Sequence, residues 1–149
     1  MDVLDCTGPQ GPAGPGSLMV SSSTMLDVSF VGCTNFDSVT ITVPSAGTIV
    51  VSSLVKLNVE HTLGTEDRWE ILISDSSTIC WSPPWTWLDE IPDGNPSESQ
   101  TQMSAYLQRA FTVGAAGTYT YYVNGEMVSG ESALDEHDWS NTIAVFYPS

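Results

Sequence analysis

The chain has 149 residues, which is enough for one domain with a hydrophobic core of its own. It carries 18 acidic and three basic residues, so its net charge of −15 repels phosphate backbones and excludes nucleic acid and anionic membranes as partners. Only 14% of the residues are charged, which predicts a surface built largely from Ser, Thr, Asn and Gln, unlike that of a typical cytosolic enzyme. No apolar run approaches the roughly 20 residues of a membrane span.

The first element along the chain is a collagen-like repeat, GPQGPAGPG, at residues 8–16. Glycine occupies every third position and proline follows each glycine: Gly8, Pro9, Gly11, Pro12, Gly14 and Pro15. A triple helix needs this spacing because only glycine fits at its axis, but so short a run has few interchain hydrogen bonds to offset the entropy of ordering three chains. Two interpretations follow. The segment is an extended arm of roughly 30 Å in polyproline II conformation, or a triple-helical stub held by the domain behind it.

We assign residues 1–24 to an extended N-terminal arm and residues 25–149 to a β domain. Residues 17–31 follow the repeat and are apolar and β-prone enough to add a strand to the sheet of a neighbouring subunit. Leu18 and Val20 are therefore predicted to take part in assembly, together with the glycines and prolines of the repeat.

Beyond the arm, alternation of apolar and polar residues predicts about eight strands. They fall at residues 26–30, 39–43, 48–62, 69–73, 79–88, 103–113, 119–123 and 142–147. Asn124 and Gly125 predict a hairpin turn, and the acidic residues 89–100 and 129–138 predict exposed loops. The fold class is therefore all-β, an antiparallel sandwich resembling a jelly roll, with an immunoglobulin-like topology as the alternative.

Cysteine and histidine residues give little sign of catalysis. Cys33 and Cys80 lie near predicted strands and are able to bridge in an oxidising compartment, while Cys6 on the arm is either a free thiol or a link to a neighbouring chain. His61 shares a face with core residues, which predicts a buried or edge side chain with one hydrogen bond, and His137 lies in an acidic stretch that predicts a solvated loop. Neither histidine lies in a nucleophile motif, so we predict that the protein is not an enzyme.

The acidic loops and the tryptophans are the candidate binding residues. No cofactor is required, but calcium takes six to eight oxygen ligands, and the acidic loops offer such oxygens for a structural calcium site. Its candidate ligands are Asp89, Asp93, Asp135, Glu136 and Asp138, which do not follow the Asp-x-Asp-x-Asp-Gly spacing. Trp81, Trp85 and Trp87 flank two prolines that cannot donate to a sheet, which predicts an edge or bulged strand. Their indoles are either core residues or an exposed surface for carbohydrate or a neighbouring subunit.

Several stretches carry a resemblance to a known family. They are GPQGPAGPG at 8–16, FDSVTITVPSAGTIVVSSLVKL at 36–57, FTVGAAGTYTYYV at 111–123 and TIAVFYP at 142–148. This layout resembles the C1q and tumour necrosis factor superfamily and the collagen-like fibre proteins of bacteria and bacteriophages. The resemblance implies a trimeric jelly-roll head, with calcium and receptor binding.

The sequence favours a non-enzymatic structural protein, a subunit that self-assembles into an extracellular fibril, filament or appendage on a cell or virion surface. The arm contacts neighbouring subunits in this hypothesis, and the contact generates a helical filament if it does not close on itself and a ring or trimer if it does. The alternative is a trimeric head that binds carbohydrate or a receptor through the tryptophans and the acidic loops. Self-association is common to both hypotheses.

Overall fold

A computed structural model describes residues 18–149, which form nine β-strands in two antiparallel sheets. The strands are β1 (Leu18–Thr24), β2 (Val28–Ser29), β3 (Thr34–Val43), β4 (Gly47–His61), β5 (Asp67–Ser74), β6 (Trp87–Ile91), β7 (Glu98–Val113), β8 (Gly117–Ser129) and β9 (Glu136–Pro148). Sheet A has the order β1-β9-β4-β7, with the short β2 also paired to β9, and sheet B has the order β3-β8-β5-β6.

The strand order is that of a jelly roll. From β2 to β9 the chain crosses between the sheets at every connection except the one between β5 and β6. Crossings of this kind build two interlocked Greek keys, whereas immunoglobulin-like domains keep more consecutive strands in one sheet. The predicted fold class is therefore confirmed, and the immunoglobulin-like alternative is wrong.

The core lies between the sheets and is filled by alternate residues of each strand. Ile41 on β3, Ile49 on β4, Trp69 on β5 and Phe146 on β9 are all at most 1% exposed. Burying such a side chain stabilises the fold by about 1.5–3 kcal/mol, and slipping a strand by one residue would turn its whole apolar set to solvent. The alternation predicted at residues 39–43 and 48–62 is confirmed, and the strand predicted at 69–73 is present but is buried on both sides.

The predicted strand at residues 79–88 is wrong, because β6 begins only at Trp87. Residues 75–86 form a loop over the outer face of sheet B. Asn124 donates from Nδ2 to the carbonyl oxygens of Ser76 at 2.7 Å and Ile79 at 2.8 Å, and the predicted bridge between Cys33 and Cys80 is present, with Cα atoms 5.6 Å apart. The prediction of an exposed loop at residues 89–100 fails at both ends, which belong to β6 and β7.

Asn124 and Gly125 do not form the predicted turn, because both lie inside β8. A side chain at position 125 would overlap the ring of Phe36, so glycine is needed there for close packing rather than for a turn. The Asn124 side chain is fully buried and its Oδ1 accepts a hydrogen bond from Asn35 Nδ2 at 3.0 Å. Tertiary packing therefore overrides a strong local hairpin signal.

The N-terminal boundary of the sandwich also differs from the expected one. Residues 18–24, assigned from the sequence to the arm, form β1 and pair with β9 from Leu18 opposite Phe146 to Thr24 opposite Ser140. The sandwich therefore includes these residues. The strand predicted at 26–30 is reduced to the two residues of β2. The predictions for Cys6, Gly8, Pro9, Gly11, Pro12, Gly14 and Pro15 lie outside the described residues.

Candidate self-association surface

The outer face of sheet A, which points away from sheet B, is unusually apolar. Met19, Val145, Val50 and Ala110 lie side by side across its four strands. Further along β4, Leu54 lies opposite Tyr106, which is 64% exposed. The apolar members of this face are Met19, Val50, Leu54, Tyr106, Ala110, Trp139, Ile143, Val145 and Tyr147. Contiguous apolar surface of this kind is typical of interaction sites.

Charge is absent from the four rows of this face between Thr48 and Leu54 of β4, and the charged side chains of Lys56 and Glu136 lie beyond these rows. The polar side chains between its apolar residues are uncharged: Ser21, Ser23, Ser52, Gln108 and Asn141. The one cation is Lys56 at the margin, and its Nζ lies 2.8 Å from Oδ2 of Asp138. Burying this face against another surface would therefore desolvate few charged groups, and desolvation of an unpaired charge is a large cost of association.

The edge strand β1 is fixed to the sandwich by the buried carboxylate of Asp37 on β3. Asp37 Oδ1 accepts hydrogen bonds from Ser22 Oγ at 2.7 Å and Thr24 Oγ1 at 3.0 Å. Its Oδ2 accepts one from Thr142 Oγ1 on β9 at 2.7 Å. Sequence reasoning missed this role, because nothing in the spacing of Asp37 reveals donors from two strands distant in the chain. The network holds Met19, and with it one side of the apolar face, in position.

The structure divides the three tryptophans of the sequence prediction between two grooves. Trp85 and Trp87 lie with Tyr106 in a groove at the edges of β6 and β7, and the guanidinium carbon of Arg109 lies 5.4 Å from the centre of the Trp85 ring. Trp81 instead lies in a groove on the outer side of sheet B. Trp81 and Trp85 are 57% and 51% exposed, whereas Trp87 packs partly against the core. Trp81 and Trp85 therefore fit the exposed alternative, and Trp87 is closer to the core alternative.

The five candidate calcium ligands are not brought together. Asp135 is fully buried, and its carboxylate accepts hydrogen bonds from the backbone N–H groups of Glu60 at 2.9 Å and Ser132 at 2.7 Å. Burial raises the pKa of Asp135. Asp138 pairs with Lys56, Asp89 and Glu136 lie in strands, and Asp93 lies in the loop before β7.

Within residues 18–149, the one group of three potential metal-binding side chains that converges is Cys33, Cys80 and Glu126. Its two cysteines are bonded to each other, so their thiolates are not free to hold an ion. Calcium binding stays a prediction without a ligand set.

Both histidines are structural parts of the sandwich. His61 is buried. Its Nδ1 is hydrogen-bonded to the Asp67 carboxylate, and its Nε2 donates a hydrogen bond to the Asn95 carbonyl oxygen at 3.1 Å. The hydrogen bond to Asp67 raises the pKa of His61 against the opposing effect of burial. His137 is fully buried and stacks on Phe36 with ring centres 4.6 Å apart, and burial lowers its pKa. The solvated loop predicted for His137 is therefore wrong.

A pair of carboxyl groups that the sequence did not reveal lies on the outer side of sheet B. Glu70 on β5 is directly opposite Glu126 on β8 and is only 4% exposed. Burial and the neighbouring Glu126 raise the pKa of Glu70 to about 7, against a smaller opposing effect of Arg68. The pair lines a groove of about 520 Å³ together with Trp81 and the apolar side chain of Leu88. These residues are distant in the chain, so only the strand register brings them together.

The described part of the chain contains no helix that is long and apolar enough to cross a membrane. Its distinctive surfaces are the outer face of sheet A, the aromatic groove beside it and the carboxyl pair on sheet B. No protein-family model matches the chain, and a search of curated proteins found no relative either.

Proposed function

We propose that the protein is a non-enzymatic structural subunit that self-associates through the outer face of sheet A to build an extracellular filament or appendage. The observation that carries the proposal is the row Met19, Val145, Val50 and Ala110, an apolar stripe across all four long strands of the sheet with no charged residue in it. A sheet face that residues 18–149 leave uncovered and apolar is suited to a second copy.

The dimensions of this face suit a stable contact. Four strands about 4.8 Å wide, with four rows of outward side chains that each take about 6.8 Å, give an area of about 19 by 27 Å before side-chain relief is counted. Stable interfaces bury about 800 Å² of accessible surface on each partner, which is of the same order. The face therefore supports a specific contact.

The disulfide and the charge support an extracellular setting. Disulfides persist in oxidising compartments, and the bridge between Cys33 and Cys80 fastens a surface loop where a reducing cytosol would open it. A net charge of −15 keeps subunits apart everywhere except at surfaces free of acids. In this proposal, charge therefore disfavours other contacts and leaves the outer face of sheet A as the preferred one.

The test places one acid on each sheet. Val145→Glu introduces a charge in the centre of the apolar stripe, and Thr118→Glu introduces one on the outer face of sheet B, where Thr118 Oγ1 lies 2.9 Å from Thr42 Oγ1. Sedimentation velocity and negative-stain microscopy should show wild-type protein and Thr118→Glu as oligomers, and Val145→Glu as monomers. A monomeric wild type, or an oligomer insensitive to Val145→Glu, would overturn the proposal.

Truncation separates the contribution of the N-terminal arm from that of the sheet. A deletion through residue 24 would remove β1 itself, whereas a deletion that ends at Ser17 leaves the pairing of Leu18–Thr24 with β9 intact. We expect the shorter deletion to abolish long filaments but to keep the contact through sheet A, seen as small oligomers. Filaments of unchanged length after this deletion would contradict a role for the arm in assembly.

A second candidate function, the ligand-binding head, is favoured by the groove on sheet B. It combines the exposed indole of Trp81 with the carboxyl groups of Glu70 and Glu126, and carbohydrates are bound by aromatic stacking together with polar hydrogen bonds. Binding to a glycan array that Trp81→Ala abolishes, with oligomeric state unchanged, would support this function. Equal binding by the wild type and by Trp81→Ala would exclude Trp81 from it.

A further inference from the structure

The groove between the two sheet edges has the chemistry of a binding site for a proline-rich segment. It is lined by Trp85, Thr86, Trp87, Tyr106, Leu107 and Gln108, and it encloses about 210 Å³. β6 and β7 are the last strands of their sheets, so the groove lies where both sheets end. Arg109 holds one wall in place. Its Nη1 donates to the carbonyl oxygen of Ile73 at 2.8 Å and its guanidinium faces the rings of Trp85 and Phe111.

We propose that this groove binds the Gly-Pro-x segment, residues 8–16, of a neighbouring copy of the chain. Proline-rich segments dock in grooves lined by Trp and Tyr, because the polyproline II helix is stiff and loses little entropy on binding. That helix has three residues per turn, so Pro9, Pro12 and Pro15 would fall on one face of it. Its backbone makes no internal hydrogen bonds, so its carbonyl groups are free to accept from Gln108 or from an indole N–H.

Charge does not oppose this contact, although the chain is strongly acidic. Residues 6–17 contain no charged side chain, although the whole chain has 18 acids. None of the six residues that line the groove is charged, and one of the chain's three cations, Arg109, adjoins it. Bringing the segment to the groove therefore avoids the like-charge repulsion that most other contacts between copies would meet.

The strand register favours a neighbouring copy over the same chain. Tyr106 lies three strands away from β1, in the row of Ser23 rather than that of Leu18, a separation of about 22 Å from Leu18 at about 4.8 Å per strand and 3.4 Å per residue. β1 runs from Leu18 towards the Ser23 row, so a chain that continues its direction before Leu18 moves away from the groove. Docking in the same copy would therefore require the chain to reverse its direction before Leu18.

This inference rests on the proposed self-association and adds a second contact to it. The outer face of sheet A and the groove share Tyr106 and Gln108, but Val145 belongs only to the face and Trp85 only to the groove, so each contact has its own test. Val145→Glu tests the first, as described above. The peptide experiment below tests the second and does not require the protein to be an oligomer.

The experiment measures binding of a synthetic peptide of residues 6–17, labelled on the Cys6 thiol, by fluorescence anisotropy. The acceptor is the full chain with Pro9, Pro12 and Pro15 replaced by alanine, so that its own segments do not fill the grooves. We expect saturable binding, at least a tenfold higher Kd when Trp85→Ala or Tyr106→Ala is added, and an unchanged Kd with Trp81→Ala. Trp81 is the matched control because it is exposed to a similar degree as Trp85 but lies outside the groove.

A second peptide, in which the three prolines are alanine, should not bind. The inference is overturned if the acceptor binds neither peptide, if both peptides bind equally, or if Trp85→Ala and Tyr106→Ala leave the Kd unchanged. Circular dichroism of each variant confirms the β fold. Val145→Glu, added to the same acceptor, should leave peptide binding intact; its loss would place the peptide on the outer face of sheet A instead.

Discussion

The outer faces of the two sheets differ in what covers them. On sheet B, Leu72 and Asn124 point away from the core and are nevertheless fully buried, because residues 75–86 fold over them and are held by the disulfide. On sheet A, the described residues contain no such cover, and Met19 and Tyr106 are 69% and 64% exposed. Residues 18–149 therefore cover one face with a loop of their own and leave the other apolar and open.

This difference indicates which face another molecule would cover. Away from the loop, the outer side of sheet B is lined with threonines that bond across the strands, with hydroxyl oxygens of Thr40 and Thr120 2.9 Å apart. Such pairs satisfy each other and are stable in water. The side chains at the centre of the sheet A face, such as Ile143 and Val145, form no hydrogen bonds with water. The contrast therefore supports sheet A as the surface for association.

The largest expected effect is the removal of the cover on sheet B. Replacing Cys33 and Cys80 by serine opens a bridge with a sequence separation of 47 residues, and loop-closure entropy predicts a loss of about 4 kcal/mol in unfolding free energy. Chemical denaturation with and without reductant measures the loss. If the two faces are independent, the oligomeric state should be unchanged while the protein remains folded. Dissociation of the folded variant would show that the faces are coupled.

The next largest effect concerns the edge of the sheet A face. Asp37→Ala removes the acceptor of Ser22, Thr24 and Thr142, and leaving such donors unpaired predicts a loss of about 2–3 kcal/mol. Hydrogen exchange should accelerate at Leu18–Thr24 first, and association should weaken because Met19 loses its fixed position. Asp37→Asn, which keeps one carbonyl acceptor, should lose less. Unchanged protection of β1 in Asp37→Ala would show that backbone pairing alone holds this strand.

Prediction from the sequence succeeded for strands that have one side in the core and the other side on the surface. Ile49, Val51 and Val55 face the core while their neighbours face outward, so period-two alternation was sufficient to identify β4. Prediction failed where tertiary contacts replace local preferences. Gly125 lies in a strand because Phe36 packs against it, and a loop supplies the cover of sheet B although its sequence resembles an aromatic strand.

The candidate surfaces were harder to predict than the fold. The apolar stripe joins Met19, Val50, Ala110 and Val145 from four strands, and no local pattern in the sequence shows that their outward sides are neighbours. The Trp-rich stretch was recognised, but not its division between two grooves. Such sites depend on strand order and register, which the sequence pattern alone did not supply.

A smaller effect is expected from the carboxyl pair Glu70 and Glu126 on sheet B, and it tests whether this pair influences association through sheet A. The pKa of folded Glu70 is about 7, above its ordinary value of 4.5, so the folded state binds more protons than the unfolded state between these pH values. The contribution of Glu70 to the free energy of unfolding is therefore fully present below pH 4.5 and is lost as the pH rises to about 7. Glu126→Gln removes the like charge directly across the strands from Glu70, and it should raise the free energy of unfolding at pH 8 by about 1 kcal/mol.

Thermal melts from pH 4.5 to 8 measure this effect, with the exposed Glu131→Gln as the control. The Glu126→Gln variant should show a flatter dependence of stability on pH, and its oligomeric state should match the wild type. An unchanged pH dependence would show that burial alone, without Glu126, sets the protonation of Glu70.

The smallest effect is expected at the one cation on the sheet A face. Lys56 and Asp138 are 34% and 31% exposed, and ion pairs at this exposure contribute about 0–1 kcal/mol to folding. Lys56→Met should therefore change unfolding free energy little, while it extends the apolar stripe and tightens association about two- to fivefold, measured by sedimentation equilibrium. Weaker association in this variant would mean that Lys56 pairs with an acid of the neighbouring copy. The face would then be aligned by charge as well as by apolar contact.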